Sequence, residues 1–333
     1  MNSVKLGVIG LGLIWQRVHR AMITEQQTLF QPIAFCDLSE ERRIATAAEF
    51  PNATVVADYR DLLQMAEIEV VQVLTPIAYN APTALAALEA GKDVIMEKPI
   101  ARSTAEGQQL IDAARRTGRR LFVTEQLAYR SAEAKVAALL AEGAIGELIL
   151  WERVQHLEAD TGQGPMRYES TPWRKEANFP LGTLFDGGVH LIAGLTRIFG
   201  APQQVAATGR KLREDYGEFD QVAMLFHYAN HTTGMLSHSS FLPATKNYFY
   251  IHGTEGVMTV EPGQIIVERR DGANTIIDLP AENAYAQMWQ ALVQAYQSGD
   301  EPYYTAARAL QDVAILEAVA RAIKSKTCET IPQ

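Results

Sequence analysis

Five short apolar runs in the first third of the chain, each followed by a segment of helical period, constrain the fold more than any other feature. Val4–Ile9, Ile33–Cys36, Val70–Leu74, Val94–Met96 and Leu121–Val123 read as strands, and the segments near 13–25, 39–50, 58–66, 80–90 and 103–117 read as helices. The strands are continuously apolar rather than alternating, so both of their faces need cover. A parallel sheet with helices on each side provides it. The expectation is a doubly wound domain over residues 1–124.

Beyond residue 125 the rhythm changes. A helix is expected from Ala132 to Glu142, ended by Gly143 and Gly146, and another over Thr183 to Phe199. Between and after them Leu148–His156, Val222–Tyr228, Met235–Phe241 and Tyr248–His252 read as strands, with Val222, Met224, Phe226 and Tyr228 on one face. Strands that follow one another without helices pair most economically as antiparallel neighbours. Helices at about 283–298 and 305–325 close the chain. Residues 125–333 are therefore expected as a second domain of helices and antiparallel strands. A chain of 333 residues is too long for one ordinary core, which agrees with two domains.

A formal charge of −9 opposes any large basic footprint, so nucleic acid and anionic membrane are not expected partners and a small soluble substrate is. The apolar run Leu6–Trp15 lacks a signal-peptide cleavage site, and no stretch reaches the length of a membrane helix. Only two cysteines occur, Cys36 and Cys328, which suits a reducing, cytoplasmic setting.

Chemistry concentrates at the ends of the expected parallel strands. Gly7-Val8-Ile9-Gly10-Leu11-Gly12 runs from the first strand into a helix; Gly10 allows a tight turn and Gly12 lets backbone approach a pyrophosphate seated on the helix N-terminus. Trp15 stands where a third glycine is usual. Asp37, at the end of the second strand, is placed to bond a ribose 2′-hydroxyl and repel a 2′-phosphate, which favours NAD over NADP; equally, Asp37 or Ser39 is a helix cap for Glu40 onward. Thr75-Pro76 follows the third strand, as a cofactor contact or as a plain turn.

Glu97-Lys98-Pro99 follows the strand Val94–Met96. An ammonium there can hold a substrate hydroxyl, stabilise a developing alkoxide and relay a proton, although position alone favours a surface lysine at a strand end. Asp186 and His190 are four apart in a helical segment, so they face the same way. Imidazole suits proton abstraction near neutral pH, with Asp186 orienting it or holding a neighbouring hydroxyl; the alternative is a solvated pair. Neither an HExxH motif nor clustered His/Cys spacing occurs, so no metal is expected, and no GxSxG elbow marks a hydrolase.

Taken together the motifs resemble the Gfo/Idh/MocA family of NAD(P)-dependent oxidoreductases. The resemblance rests on Gly10-x-Gly12-x-Ile14-x-Gln16-x-x-His19, Ala87 to Lys92 leading to Glu97-Lys98-Pro99, Tyr129-Arg130, Gly143-x-Ile145-Gly146, Trp173-Arg174, Asp186-x-x-x-His190 and Gly253-Thr254-x-Gly256. It implies catalytic positions at Lys98, Asp186 and His190, and cofactor contacts at Gly10, Gly12, Leu13, Ile14, Asp37, Thr75, Pro76, Glu97 and Lys98. Tyr129, Arg130, Trp173 and Arg174 would lie near the cofactor or substrate, with Asp186 and His190 on the substrate; the alternative for the two aromatic residues is interdomain core. It further implies a Rossmann domain followed by an α+β domain with a large, mainly antiparallel open sheet, and a homodimer or homotetramer built through that C-terminal sheet. Ile77, Asn80, Pro180-Leu181-Gly182 and Ala193 depart from the usual pattern, as Trp15 does, so the substrate is not carried across. The expectation is hydride transfer between NAD and a secondary alcohol or ketone of a sugar, polyol or related molecule. The alternatives are an NAD-binding sensor without turnover and an NAD-recycling glycosidase.

Overall fold

The computed structural model describes residues 3–25, 28–158, 168, 171–176 and 178–333, with backbone alone at 243–245. Its packing divides into two compact units, Met1–Gln126 with Ala284–Leu310 and Leu127–Asn283 with Gln311–Gln333. The sequence assigned everything after 124 to one domain, whereas Ala284–Leu310 packs with the N-terminal strands. Three anchors explain this. Trp289 Nε1 donates to Nδ1 of buried His19 at 3.1 Å, the Tyr296 hydroxyl reaches Asp93 at 3.2 Å, and the Arg120 guanidinium lies 3.6 Å over the Tyr296 ring.

The first unit holds a six-stranded sheet among the described residues: β1 Val4–Ile9, β2 Phe30–Cys36, β3 Thr54–Val56, β4 Val70–Val73, β5 Asp93–Glu97 and β6 Leu121–Thr124. Its order is β3-β2-β1-β4-β5-β6 and every pairing is parallel, as the continuous apolar runs require. The order reverses between β1 and β4, which opens a crevice at their carboxyl ends. β3 leaves no pattern in the sequence; its three residues, one exposed and two half-exposed, are too few to show a period. The helix expected over 13–25 widens after its first two residues into a π-helical segment, Trp15–His19, and continues as the α-helix Arg20–Thr24. The wider turn coincides with Trp15, which is buried edge-on against Phe35 at 5.6 Å where a glycine would normally let helix and strand touch.

The second unit carries β7 Leu148–Glu158, β8 Gln204–Arg210, β9 Gln221–His227, β10 Thr233–Ser239, β11 Phe241–Gly253, β12 Gly256–Glu261, β13 Gln264–Arg269, β14 Asn274–Asp278 and β15 Glu329–Thr330. They form one sheet in the order β14-β13-β12-β11-β7-β10-β9-β8-β15, antiparallel except for the β7–β10 pair. One face is packed: Trp151 stacks on Phe199 of the helix Val189–Phe199 at 5.2 Å, and a side chain on the facing Gly234 would strike the Trp151 ring. The other face is open. Register sets Leu225, Met235, Glu152, Tyr250, Thr259, Ile266 and Ile276 in one row across it, and Leu225, Met235, Tyr250 and Ile276 are exposed.

Candidate active site

Gly10 ends β1 with φ +97°, and an added Cβ would lie 2.6 Å from the Leu74 carbonyl oxygen just past β4, so only glycine fits at the switch point. At Gly12 an added Cβ would meet nothing nearer than Arg42 Nη1, at 3.9 Å, so the backbone there faces free space. Leu13 and Ile14 follow as the first residues of the helical segment, where amides have no carbonyl of a preceding turn to bond. Asp37 is largely buried and its two oxygens are fixed by backbone: Leu11 N–H donates to Oδ2 at 2.7 Å and Ser39 N–H to Oδ1 at 2.8 Å. Ser39 is the cap of the following helix, with Arg42 N–H donating to its hydroxyl, so Asp37 is free of that task. Arg42 Nη1 lies 3.4 Å from Asp37 Oδ2. A turn open to an anion beside a carboxylate with fixed oxygens and unused lone pairs fits the pyrophosphate and ribose of a dinucleotide.

Across the crevice Pro76 precedes the helix Ile77–Glu89, and Thr75 Oγ1 donates to Asn80 Oδ1 at 2.9 Å. Asn80 Nδ2 in turn donates to the Glu97 carbonyl at 3.2 Å. Ile77, in place of the usual Asn, is buried. Lys98 follows β5 at the same edge, and the Lys98–Pro99 peptide is cis. The Glu97 side chain, expected to meet cofactor, is buried and turned to protein: Oε1 accepts from His19 Nε2 and from the Thr124 hydroxyl, both at 2.8 Å. Burial pushes this carboxyl up, but the His19 hydrogen bond, the Lys98 charge and the Thr124 hydroxyl outweigh it and hold it below the usual carboxylate range.

In the second unit the helix expected over 183–199 is broken at Gly187-Gly188 into Thr183–Asp186 and Val189–Phe199. Gly182, φ +53°, comes so close to the Tyr216 carbonyl that a Cβ would sit 2.1 Å from its oxygen. Asp186 is held by Arg174, whose Nε donates to Oδ2 at 2.5 Å and Nη2 to Oδ1 at 3.4 Å. Arg174 also bonds the Tyr168 carbonyl and the Thr171 hydroxyl, and stacks 4.1 Å over the Trp173 ring. The sequence treated Trp173-Arg174 and Asp186 as separate substrate contacts; the structure makes Arg174 and Asp186 one charge pair. His190 lies half-buried on the following helix.

Tyr129 and Arg130 enter the helix Ser131–Ala141 half-buried, and Arg130 Nε lies 3.5 Å from Glu133 Oε2. Burial raises the Glu133 carboxyl, against the nearby Arg130 and Arg153 charges, and burial lowers the Arg153 guanidinium to about 10. Arg130 is thus a partner of a buried charge cluster as well as an expected substrate contact. Among the described residues no group of three or more His, Cys, Asp or Glu is placed to hold a metal, and no helix is long and apolar enough to cross a membrane.

Residues 4–125 match the model of an oxidoreductase family with an NAD-binding Rossmann fold, and residues 134–259 match the GFO/IDH/MocA C-terminal domain. The scyllo-inositol 2-dehydrogenase (NADP(+)) IolW of Bacillus subtilis is 25% identical over 77% of this chain and 68% of its own length. A dTDP-3,4-didehydro-2,6-dideoxy-alpha-D-glucose 3-reductase of Actinomadura kijaniata is 26% identical over 96% and 95%. The crystal structure of an oxidoreductase from Thermotoga maritima superposes with a TM-score of 0.91, at 24% identity and 99% of both chains.

Proposed function

The chain belongs to the GFO/IDH/MocA family of NAD-binding oxidoreductases, and from that premise we propose that it interconverts a secondary alcohol and a ketone on a sugar, polyol or related small molecule. The observation that carries the reading is Lys98. It stands at the carboxyl edge of a sheet whose switch point carries the Gly10 turn, in the same chain as Asp186 and His190. NAD supplies the hydride acceptor. Lys98 hydrogen-bonds the reacting oxygen and stabilises charge developing there, His190 takes the hydroxyl proton, and Asp186, fixed by Arg174, holds a neighbouring hydroxyl or the imidazole. Tyr129, Arg130 and Trp173 line the substrate side. The inositol and dTDP-sugar relatives support a polyhydroxylated substrate.

The exposed row Leu225, Met235, Tyr250 and Ile276 supports a homodimer or homotetramer through the open sheet face. Two free thiols, Cys36 and Cys328, support a reducing, cytoplasmic setting. Lys98→Ala and His190→Ala test the assignment. Each is expected to lose turnover by about 100-fold or more with the fold kept, NAD affinity being measured alongside, since single acid–base groups contribute that much. Near-wild-type turnover in either variant contradicts the role given to that residue.

A further inference from the structure

A lysine ammonium rides on four flexible carbons, so where it points depends on how its backbone is held. The backbone leading into Lys98 is held from three directions. Asn80 Nδ2 donates to the Glu97 carbonyl, the oxygen of the peptide that joins Glu97 to Lys98, at 3.2 Å. The Thr124 hydroxyl, 1% exposed at the end of β6, lies 3.1 Å from the Met96 carbonyl and 2.8 Å from Glu97 Oε1. His19, fully buried, bonds that same carboxylate oxygen from the segment that follows the glycine turn.

The His19 proton can be placed by elimination. Trp289 Nε1 is a donor only, and it points at His19 Nδ1 from 3.1 Å, so Nδ1 must present its lone pair. The ring proton then lies on Nε2 and is donated to Glu97, which accepts as a carboxylate beside Lys98. We infer that His19 and Asn80 are positioning residues that aim Lys98, with Trp289 fixing the tautomer of His19. The clamp joins the glycine turn to the reacting lysine: the π-helical segment that follows that turn ends on His19. Asn80, which departs from the histidine usual in the family, does its share through an amide that accepts from Thr75 and donates to Glu97. This inference rests on the reading of Lys98 as a reacting group.

The test compares His19→Phe and Asn80→Leu, which remove the clamp bonds, with His19→Gln, whose amide can both accept from Trp289 and donate to Glu97. Turnover is measured with NAD and a panel of inositols and hexoses, and NAD binding by calorimetry on each variant. His19→Phe and Asn80→Leu are expected to lower kcat by about tenfold or more, with KM for the alcohol and the Kd for NAD within about twofold, as misaimed groups do. His19→Gln should recover kcat to within about threefold of wild type. Unchanged kcat in both disruptive variants, while Lys98→Met abolishes turnover, overturns the clamp and leaves the lysine reading standing; turnover in Lys98→Met overturns that reading itself. Nitrogen NMR on wild-type protein needs no variant. A bare Nδ1 and a protonated Nε2 at His19 are expected, and the reverse pattern contradicts the inference.

Discussion

Asp37→Ser tests the cofactor side in a way that binding alone can answer. The carboxylate is fixed by the Leu11 and Ser39 amides at 2.7 and 2.8 Å and is only 8% exposed, so it cannot swing away from a 2′-phosphate. Two phosphate charges roughly 5 Å from one carboxylate repel by about 1.7 kcal/mol at the dielectric of water and about 6.6 kcal/mol at a near-surface value. Arg42, 47% exposed and 3.4 Å from Asp37 Oδ2, pulls the balance toward the lower figure. Wild type should therefore bind NAD at least about 15-fold more tightly than NADP. Serine removes the repulsion together with a charged acceptor for the ribose, whose loss weakens NAD by about 1.5–3 kcal/mol. Calorimetric titration of both proteins with NAD and with NADP should find the preference reduced to about threefold or reversed in the variant. An unchanged ratio, or wild type binding both equally, refutes the role of Asp37. The question is a real one, because the Bacillus subtilis relative is named for NADP.

Gln72 lies in β4 with its side chain fully buried and neither amide atom hydrogen-bonded among the described residues; Gln72→Leu should raise stability by about 1–2 kcal/mol in urea unfolding, and a loss would mean the amide is satisfied. Burial, and then the neighbouring His156, lowers the His238 imidazole from 6.5 to about 4, so the unfolded chain takes up a proton that the folded one refuses. Stability on this account is full above pH 6.5 and is lost as pH falls toward 4, by up to about 3 kcal/mol, and His238→Leu should flatten that part of the stability curve. Arg174→Met removes the guanidinium from the 15% exposed Asp186 carboxylate; a double-mutant cycle with Asp186→Asn should give a coupling of about 1–3 kcal/mol, and a coupling near zero would show the pair to be incidental.

Much of this was legible in the chain because it is written in local patterns. Continuous apolar runs announce buried parallel strands, and Gly10, Asp37 and Lys98 stand at strand ends where spacing alone puts them at one edge of the sheet. What escaped is what depends on distant partners. Trp289 meets His19 across 270 positions, and nothing in the pattern of Ala284–Ser298 tells a helix of the second unit from one that returns to the first. Glu97 sits in a motif that reads as a cofactor contact, yet its side chain is consumed by His19 and Thr124. The Arg174–Asp186 pair likewise brings together two motifs that look independent in the sequence. The break at Gly187-Gly188 was visible as a glycine pair, but helical period on both sides masked it.

Hydride transfer is the claim on which the rest depends, and isotope labelling tests it most directly. Purified protein is incubated with NAD and with inositols and hexoses deuterated at their carbinol carbons, and the nicotinamide product is weighed by mass spectrometry. The account predicts NADH carrying one deuterium, formed in equal amount with the ketone and absent in Lys98→Ala. Binding of NAD and alcohol with no deuterium moved, or label cycling without net NADH, would contradict it.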